Sequence, residues 1–244
     1  MRPQLLIFLA VFQTILFSAH ILVYETWLHF WGPVPHLTLL LLRVAISLLA
    51  FSFLATSLLS FKYWNAVTRV VYRISAVWLG LFNFLFLATL GSWLTLLTEK
   101  VVAVHWNPRW MIVAWFAAGI GAALWGMINA SVPRIRRIKI RLPNLPQAWR
   151  GRTAAMISDL HLGPVRGANF ARSIVARVRQ LRPAIVFLAG DLYDGGHADL
   201  DELAGPLRGL NAPLGNFFVG GNHEEIRNPG AHLEAEECGV AFAE

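Results

Sequence analysis

Four long apolar stretches fill most of the first 131 residues, and nothing else in this sequence constrains the fold as strongly. A helix needs about 20 mainly apolar residues to cross the hydrocarbon core of a bilayer. Stretches near 5–24, 37–61, 74–98 and 110–130 meet that length, and the first has no charge between Arg2 and Glu25. It lacks a clear small-x-small cleavage site and further spans follow, so it reads as a span rather than a leader. The expectation is a four-helix transmembrane region over residues 1–131.

Charge is as uneven as hydropathy. Residues 1–141 hold twelve Lys/Arg against two acids, Glu25 and Glu99, while the rest holds nine against twelve, so the overall +7 belongs to the apolar half. Basic residues that flank apolar segments are a membrane-protein pattern. Nucleic acid is therefore not expected as a partner. One side of the spans collects Arg2, Lys62, Arg69, Arg73, Arg134, Arg136, Arg137, Lys139 and Arg141. The other has Lys100, Arg109 and, if it reaches outward, Arg43. That bias predicts both termini on the cytoplasmic side. Tyr24, Trp27, Trp31, Trp106 and Trp110 fall where interfacial rings prefer to lie. His20 reads as interfacial or as hydrogen-bonded between helices, Arg43 as snorkelling, and Gly119, Gly121 and Gly126 as close-packing positions. No matched pair of broken helices or intramembrane acids supports a transporter. The single cysteine, Cys238, has no partner for a disulfide or a zinc knuckle.

Residues 132–150 form a basic linker in which Ile135, Ile138 and Ile140 alternate with arginines and a lysine. It can be an edge strand, or it can lie on anionic lipid. From 151 onward the pattern is strand and helix in turn. Strands are predicted at 154–158, 184–189 and 216–219. Helices are predicted at 169–181, with Phe170, Ile174, Val178 and Leu181 on one face, at 199–210 with a break at Gly205-Pro206, and at 231–238. Such alternation implies a parallel sheet, whose ligands gather at the carboxyl ends of the strands.

Each predicted strand ends in a polar cluster: Ser158-Asp159-Leu160-His161, Gly190-Asp191-Leu192-Tyr193-Asp194 and Gly220-Gly221-Asn222-His223-Glu224. A two-residue spacing points Asp159 and His161 the same way. Asp191 has two oxygens and can bridge two cations, and Asn222 offers a neutral carbonyl. Mixed oxygen and nitrogen ligands suit manganese, iron or zinc. Two such ions can activate a water and clamp a phosphate, and His223 could protonate the leaving alkoxide. His197 and His232 read as solvated loop and helix residues.

These strings resemble the first three motifs of the calcineurin-like metallophosphoesterases, and residues 156–163 (MISDLHLG) are similar to the bacterial membrane-associated branch. The resemblance implies an α/β domain built as a sandwich flanked by helices, over 151–244. It implies two divalent metal ions, with Asp159 and His161 on the first, Asp191 bridging, Asn222 on the second and His223 catalytic. Asp194 would fix a loop, by a hydrogen bond to a ligand. A phosphoester substrate is implied, lipid-linked in some members, at the inner (plasma) membrane of a bacterium. The family completes its site with a later histidine and a Gly-His-x-His motif. Neither is present by Glu244, so a domain incomplete at its C-terminus, cut from a longer protein, is expected. An inactive membrane scaffold is the alternative reading.

Overall fold

The computed structural model describes residues 3–63, 65–102, 105–194, 200–227 and 241–242. The chain divides into two compact units, one holding most of the apolar helices and the other the remainder.

The apolar stretches form four helices, α1 (Pro3–Trp31), α2 (His36–Lys62), α3 (Ala66–Val102) and α4 (Pro108–Ser131). All four are long and apolar enough to cross a membrane. α3 starts eight residues before the expected 74. The reason is local: Asn65 Oδ1 accepts from the Thr68 amide at 2.9 Å and Thr68 Oγ1 accepts from the Asn65 amide at 3.2 Å, a reciprocal cap. Arg69 and Arg73 therefore ride on the helix rather than in a loop. α4 is capped by Asn107, whose Oδ1 accepts from the Arg109 amide at 3.0 Å.

Polar side chains connect these helices at several depths. His20 is almost wholly buried, hydrogen-bonds the Leu16 carbonyl through Nδ1 at 2.8 Å, and accepts from Trp78 Nε1 at 3.1 Å. Thr26 accepts from Trp93 Nε1 at 2.8 Å, Gln13 donates to the Ala50 carbonyl at 3.0 Å, and Thr56 pairs with Ser75. Such bonds between membrane helices average about 0.6 kcal/mol each, enough to set register rather than to drive assembly. His20 thus takes the interhelical role, one of the two expected of it. Arg43 is exposed and donates through Nε to Tyr24 Oη at 3.1 Å, a link from α2 to α1. Of the three glycines expected to allow close packing, Gly119 does so against the Phe84 carbonyl and Ala88 on α3. Gly121 and Gly126 face open space. Two residues rotate a helix by about 200°, which carries Gly121 away from α3. Gly91 takes that role instead, under the Trp115 ring.

Residues 133–142 take no regular secondary structure and pair with no strand among the described residues, so the edge-strand alternative is not realised. Beyond them, β1 (Ala154–Ile157), β2 (Ile185–Ala189), β3 (Asn216–Val219) and β4 (Ala241–Phe242) form one parallel sheet in sequential order. Three of these coincide with predicted strands. β4 was not foreseen, because two residues carry no periodicity. α5 (Ala168–Leu181) joins β1 to β2; α6 (Leu200–Ala204) and a 3-10 turn (Gly205–Gly209) join β2 to β3. The break falls at the predicted Gly205-Pro206. A short helix, α7 (Asn222–Arg227), follows β3.

α5 buries Ala171, Ile174, Val175 and Val178, while Phe170 and Leu181 are only half-buried. It ends where Arg182 turns left-handed at φ 47° before Pro183. These side chains form one core with Leu203, Leu207 and Leu210 and with Ala155, Val186, Leu188 and Phe218 from the sheet. Both crossovers therefore cover the same face. That follows from a sequential strand order, since crossovers of one hand advancing in one direction must all pass on one side. The opposite face carries Met156, Phe187 and Val219, which are exposed. Of the expected sandwich, this single sheet is what the described residues contain.

Candidate metal centre

Because the strands are parallel, all their carboxyl ends lie on one edge. The loops leaving β1 and β2 stay zipped past the strands. The Asp159 amide donates to the Gly190 carbonyl at 3.2 Å, His161 to Asp191 at 3.0 Å, Leu162 to Leu192 at 2.8 Å, and Asp194 returns to Leu162 at 2.9 Å. Along the first loop Leu160 and Leu162 are buried, while Asp159 and His161 point out of the core. Asp159 and His161 thus lie on the same side, through left-handed backbone rather than the strand alternation expected of the spacing.

The backbone in this zipper is not ordinary strand. Asp159, His161 and Asp191 have φ of 55°, 45° and 51°, in the left-handed region that non-glycine residues rarely occupy. Strain of this kind collects where surrounding structure holds a residue for a purpose. Gly190, at φ 69°, and Gly221 let the second and third loops touch. A Cβ on Gly221 would lie 2.3 Å from Asp191 Oδ1.

One buried side chain ties those loops together. The Glu224 carboxylate, 4% exposed, accepts four backbone N–H groups: Asp191 at 2.9 Å, Leu192 at 2.7 Å, Tyr193 at 3.2 Å and Gly221 at 2.7 Å. Asp191 Oδ1 in turn accepts from the His223 amide at 3.1 Å. Glu224 had no role in the sequence reading. Its signal was only an acid closing the third polar cluster, with no periodicity to mark it.

Ligand-capable atoms of Asp159, His161 and Asp191 lie within 4.8 Å of one another, and so do those of His161, Asp194 and His223. His161 Nε2 is 3.9 Å from Asp159 Oδ1, and its Nδ1 is 3.7 Å from Asp194 Oδ1. Asp194 thus stands beside His161 but outside hydrogen-bond range. The His161 and His223 rings meet edge to face at 4.7 Å. Burial raises the Asp194 carboxyl above its ordinary value, opposed by the charges of His161, His223 and Arg166. Arg166 sits over the Phe170 ring at 5.2 Å.

The Asn222 carboxamide approaches both Asp191 oxygens. With its nitrogen turned inward it donates to them at 3.2 and 3.3 Å. With its oxygen inward, three acceptors converge, which a cation would favour. All five expected site residues are therefore on one edge: Asp159, His161, Asp191, Asn222 and His223. Carboxylates, imidazoles and a carboxamide oxygen are a donor set that fits divalent metal ions. His197, His232, Cys238 and the predicted helix at 231–238 lie outside the described residues.

Residues 153–240 match the calcineurin-like phosphoesterase family. A transmembrane protein with metallophosphoesterase domain from Danio rerio is 35% identical over 103 residues, covering 42% of this chain and 24% of that protein. A metallophosphoesterase of Aquifex aeolicus is 36% identical over 91 residues, 37% of this chain and 34% of that protein. UDP-2,3-diacylglucosamine pyrophosphatase LpxG of Chlamydia muridarum is 30% identical over 115 residues, 46% of this chain and 35% of that protein. The chain thus spans about a third or less of the length of these relatives. No solved structure matches. The zipped loops, the donor set on one strand edge and these likenesses lead to one conclusion: residues 153–240 are similar to the calcineurin-like phosphoesterases, carried on a chain with four helices of membrane-spanning length.

Proposed function

We propose that this chain contributes to a membrane-anchored, metal-dependent phosphoesterase. The observation that carries this reading is the convergence of Asp159, His161, Asp191 and His223 on one strand edge, three of them in left-handed backbone. Asp159 and His161 would hold one divalent ion, Asp191 would bridge to a second, and Asn222 would complete the oxygen set. Manganese, iron and zinc all suit these donors. Bound metal would supply an activated water and neutralise charge on the phosphate. His223, with its amide anchored on Asp191, would deliver a proton to the departing alkoxide from its ring. Glu224 would keep Asp191 in place while the bond breaks.

The substrate class is a phosphomonoester, phosphodiester or pyrophosphate. Four candidate spans favour one presented at a membrane, and the named activity of the Chlamydia relative is compatible with a lipid-linked pyrophosphate. The Lys/Arg distribution favours a cytoplasmic domain, and the likeness of residues 156–163 to a bacterial membrane-associated branch favours a bacterial plasma membrane.

The test is hydrolysis of a chromogenic phosphodiester by detergent-solubilised protein with Mn²⁺, alongside calorimetric Mn²⁺ binding. Asp191→Ala should lower turnover by about a thousandfold or more, the scale expected when a group essential to transition-state charge stabilisation is removed. It should also weaken Mn²⁺ binding. Wild-type activity and binding in Asp191→Ala would overturn the assignment.

A further inference from the structure

Residues 133–142 pair with no strand among the described residues, which leaves the lipid-facing alternative for the linker that follows α4. Arg136, Arg137, Lys139 and Arg141 are exposed, and so are Ile135, Ile138, Ile140 and Leu142. The isoleucines at 138 and 140 are 76% and 72% exposed. Orientation preference explains basic residues next to a membrane span. It does not explain apolar side chains exposed between them.

The order of residues matters here. In an extended chain alternate side chains point to opposite sides. From 137 onward one side would carry Arg137, Lys139 and Arg141, and the other Ile138, Ile140 and Leu142. This is an amphipathic segment with a period of two, not a uniformly solvated basic run. The segment 135–142 begins three residues after Val132, which caps α4, so the headgroup region is within reach by covalent continuity.

We infer that residues 135–142 form a docking surface for anionic phospholipid. The apolar side enters the headgroup–hydrocarbon boundary, which removes its apolar area from water. The backbone then lies among headgroups, where its N–H and C=O groups remain hydrated. The long basic side chains extend to phosphate oxygens while their methylene stems stay in the boundary. Net charge is complementary, because every charged residue of the segment is basic. This inference is independent of the catalytic reading, since it needs neither metal nor turnover.

The experiment places an environment-sensitive fluorophore at position 140, through Ile140→Cys in a Cys238→Ser background. The protein is reconstituted in vesicles of phosphatidylcholine alone, or of phosphatidylcholine and phosphatidylglycerol in equal parts. Quenching by neutral acrylamide is the readout, so that surface charge does not bias the quencher. Protection at 140 should rise severalfold in the anionic vesicles and fall again at high salt. Each basic residue near an anionic surface contributes about a fivefold factor. The combined change R136Q/R137Q/K139Q/R141Q should therefore lower the docking constant at least about a hundredfold and abolish protection. R136K/R137K/R141K keeps the charge and should retain it. Equal exposure in both vesicles would overturn the inference. So would protection that persists without phosphatidylglycerol or in the glutamine variant, because the segment would then be covered by protein.

Discussion

Glu224→Ala should unfold or severely loosen the phosphoesterase unit. Four backbone N–H groups lose their shared carboxylate acceptor in one step. Each buried donor left unsatisfied costs about 1–3 kcal/mol, so a loss of about 4 kcal/mol or more is expected even if water reaches some of them. That is a large part of a typical domain's stability. Glu224→Gln is the instructive partner. Each carboxylate oxygen accepts two of the four donors. Whichever way the amide turns, its NH₂ faces two N–H groups. The glutamine should therefore recover less than half of the loss, although its shape is nearly unchanged. Thermal unfolding followed by circular dichroism checks the ranking wild type, then Gln, then Ala. A glutamine variant as stable as wild type would show that the donors, not the charge, had other partners.

Gly221→Ala should abolish the site while leaving the rest of the fold standing. The new Cβ would sit 2.3 Å from Asp191 Oδ1 and 2.6 Å from the Asp191 nitrogen. Neither approach is tolerable, and the nearer obstacle is the carboxylate itself. The least costly escape is for Asp191 to leave its place. A displacement of about 1 Å in a catalytic group can cost about a hundredfold in rate. We expect at least that loss in metal-dependent turnover, with Mn²⁺ binding weakened in parallel. Comparing Gly221→Ala with Gly205→Ala controls for the added methyl, because Gly205 has nothing within 4 Å. Equal behaviour of the two variants would remove Gly221 from the argument.

Much of this was legible in the chain. The apolar runs at 154–157, 185–189 and 216–219 are short, buried on one side, and punctuated by glycine or proline, so their length marked them as strands. The site was legible for a related reason: chemistry-bearing residues recur at the end of every strand, and parallel strands bring their ends together. What escaped has no periodic signal. Glu224 acts through backbone donors on a different loop, a pairing that exists only once the sheet is built. The left-handed Asp159, His161 and Asp191 could not be foreseen, because such residues are rare and nothing in their identity demands it. α3 began early because the Asn65–Thr68 cap is a weak pattern beside a strongly apolar run.

The left-handed backbone sets robustness against competence. Holding a non-glycine residue there costs about 1 kcal/mol or more. Asp159 is the clearest instance: its side chain is 66% exposed, and His161 Nε2 lies 3.9 Å from its Oδ1. Asp159→Gly would relieve the φ of 55° and surrender little packing. A selection for thermal tolerance alone would welcome that change, and with it the domain would drift toward a sturdier protein without one of its candidate metal-ligating carboxylates. An aspartate in this backbone runs against the grain of stability, and that cost is the fingerprint of a demand other than folding.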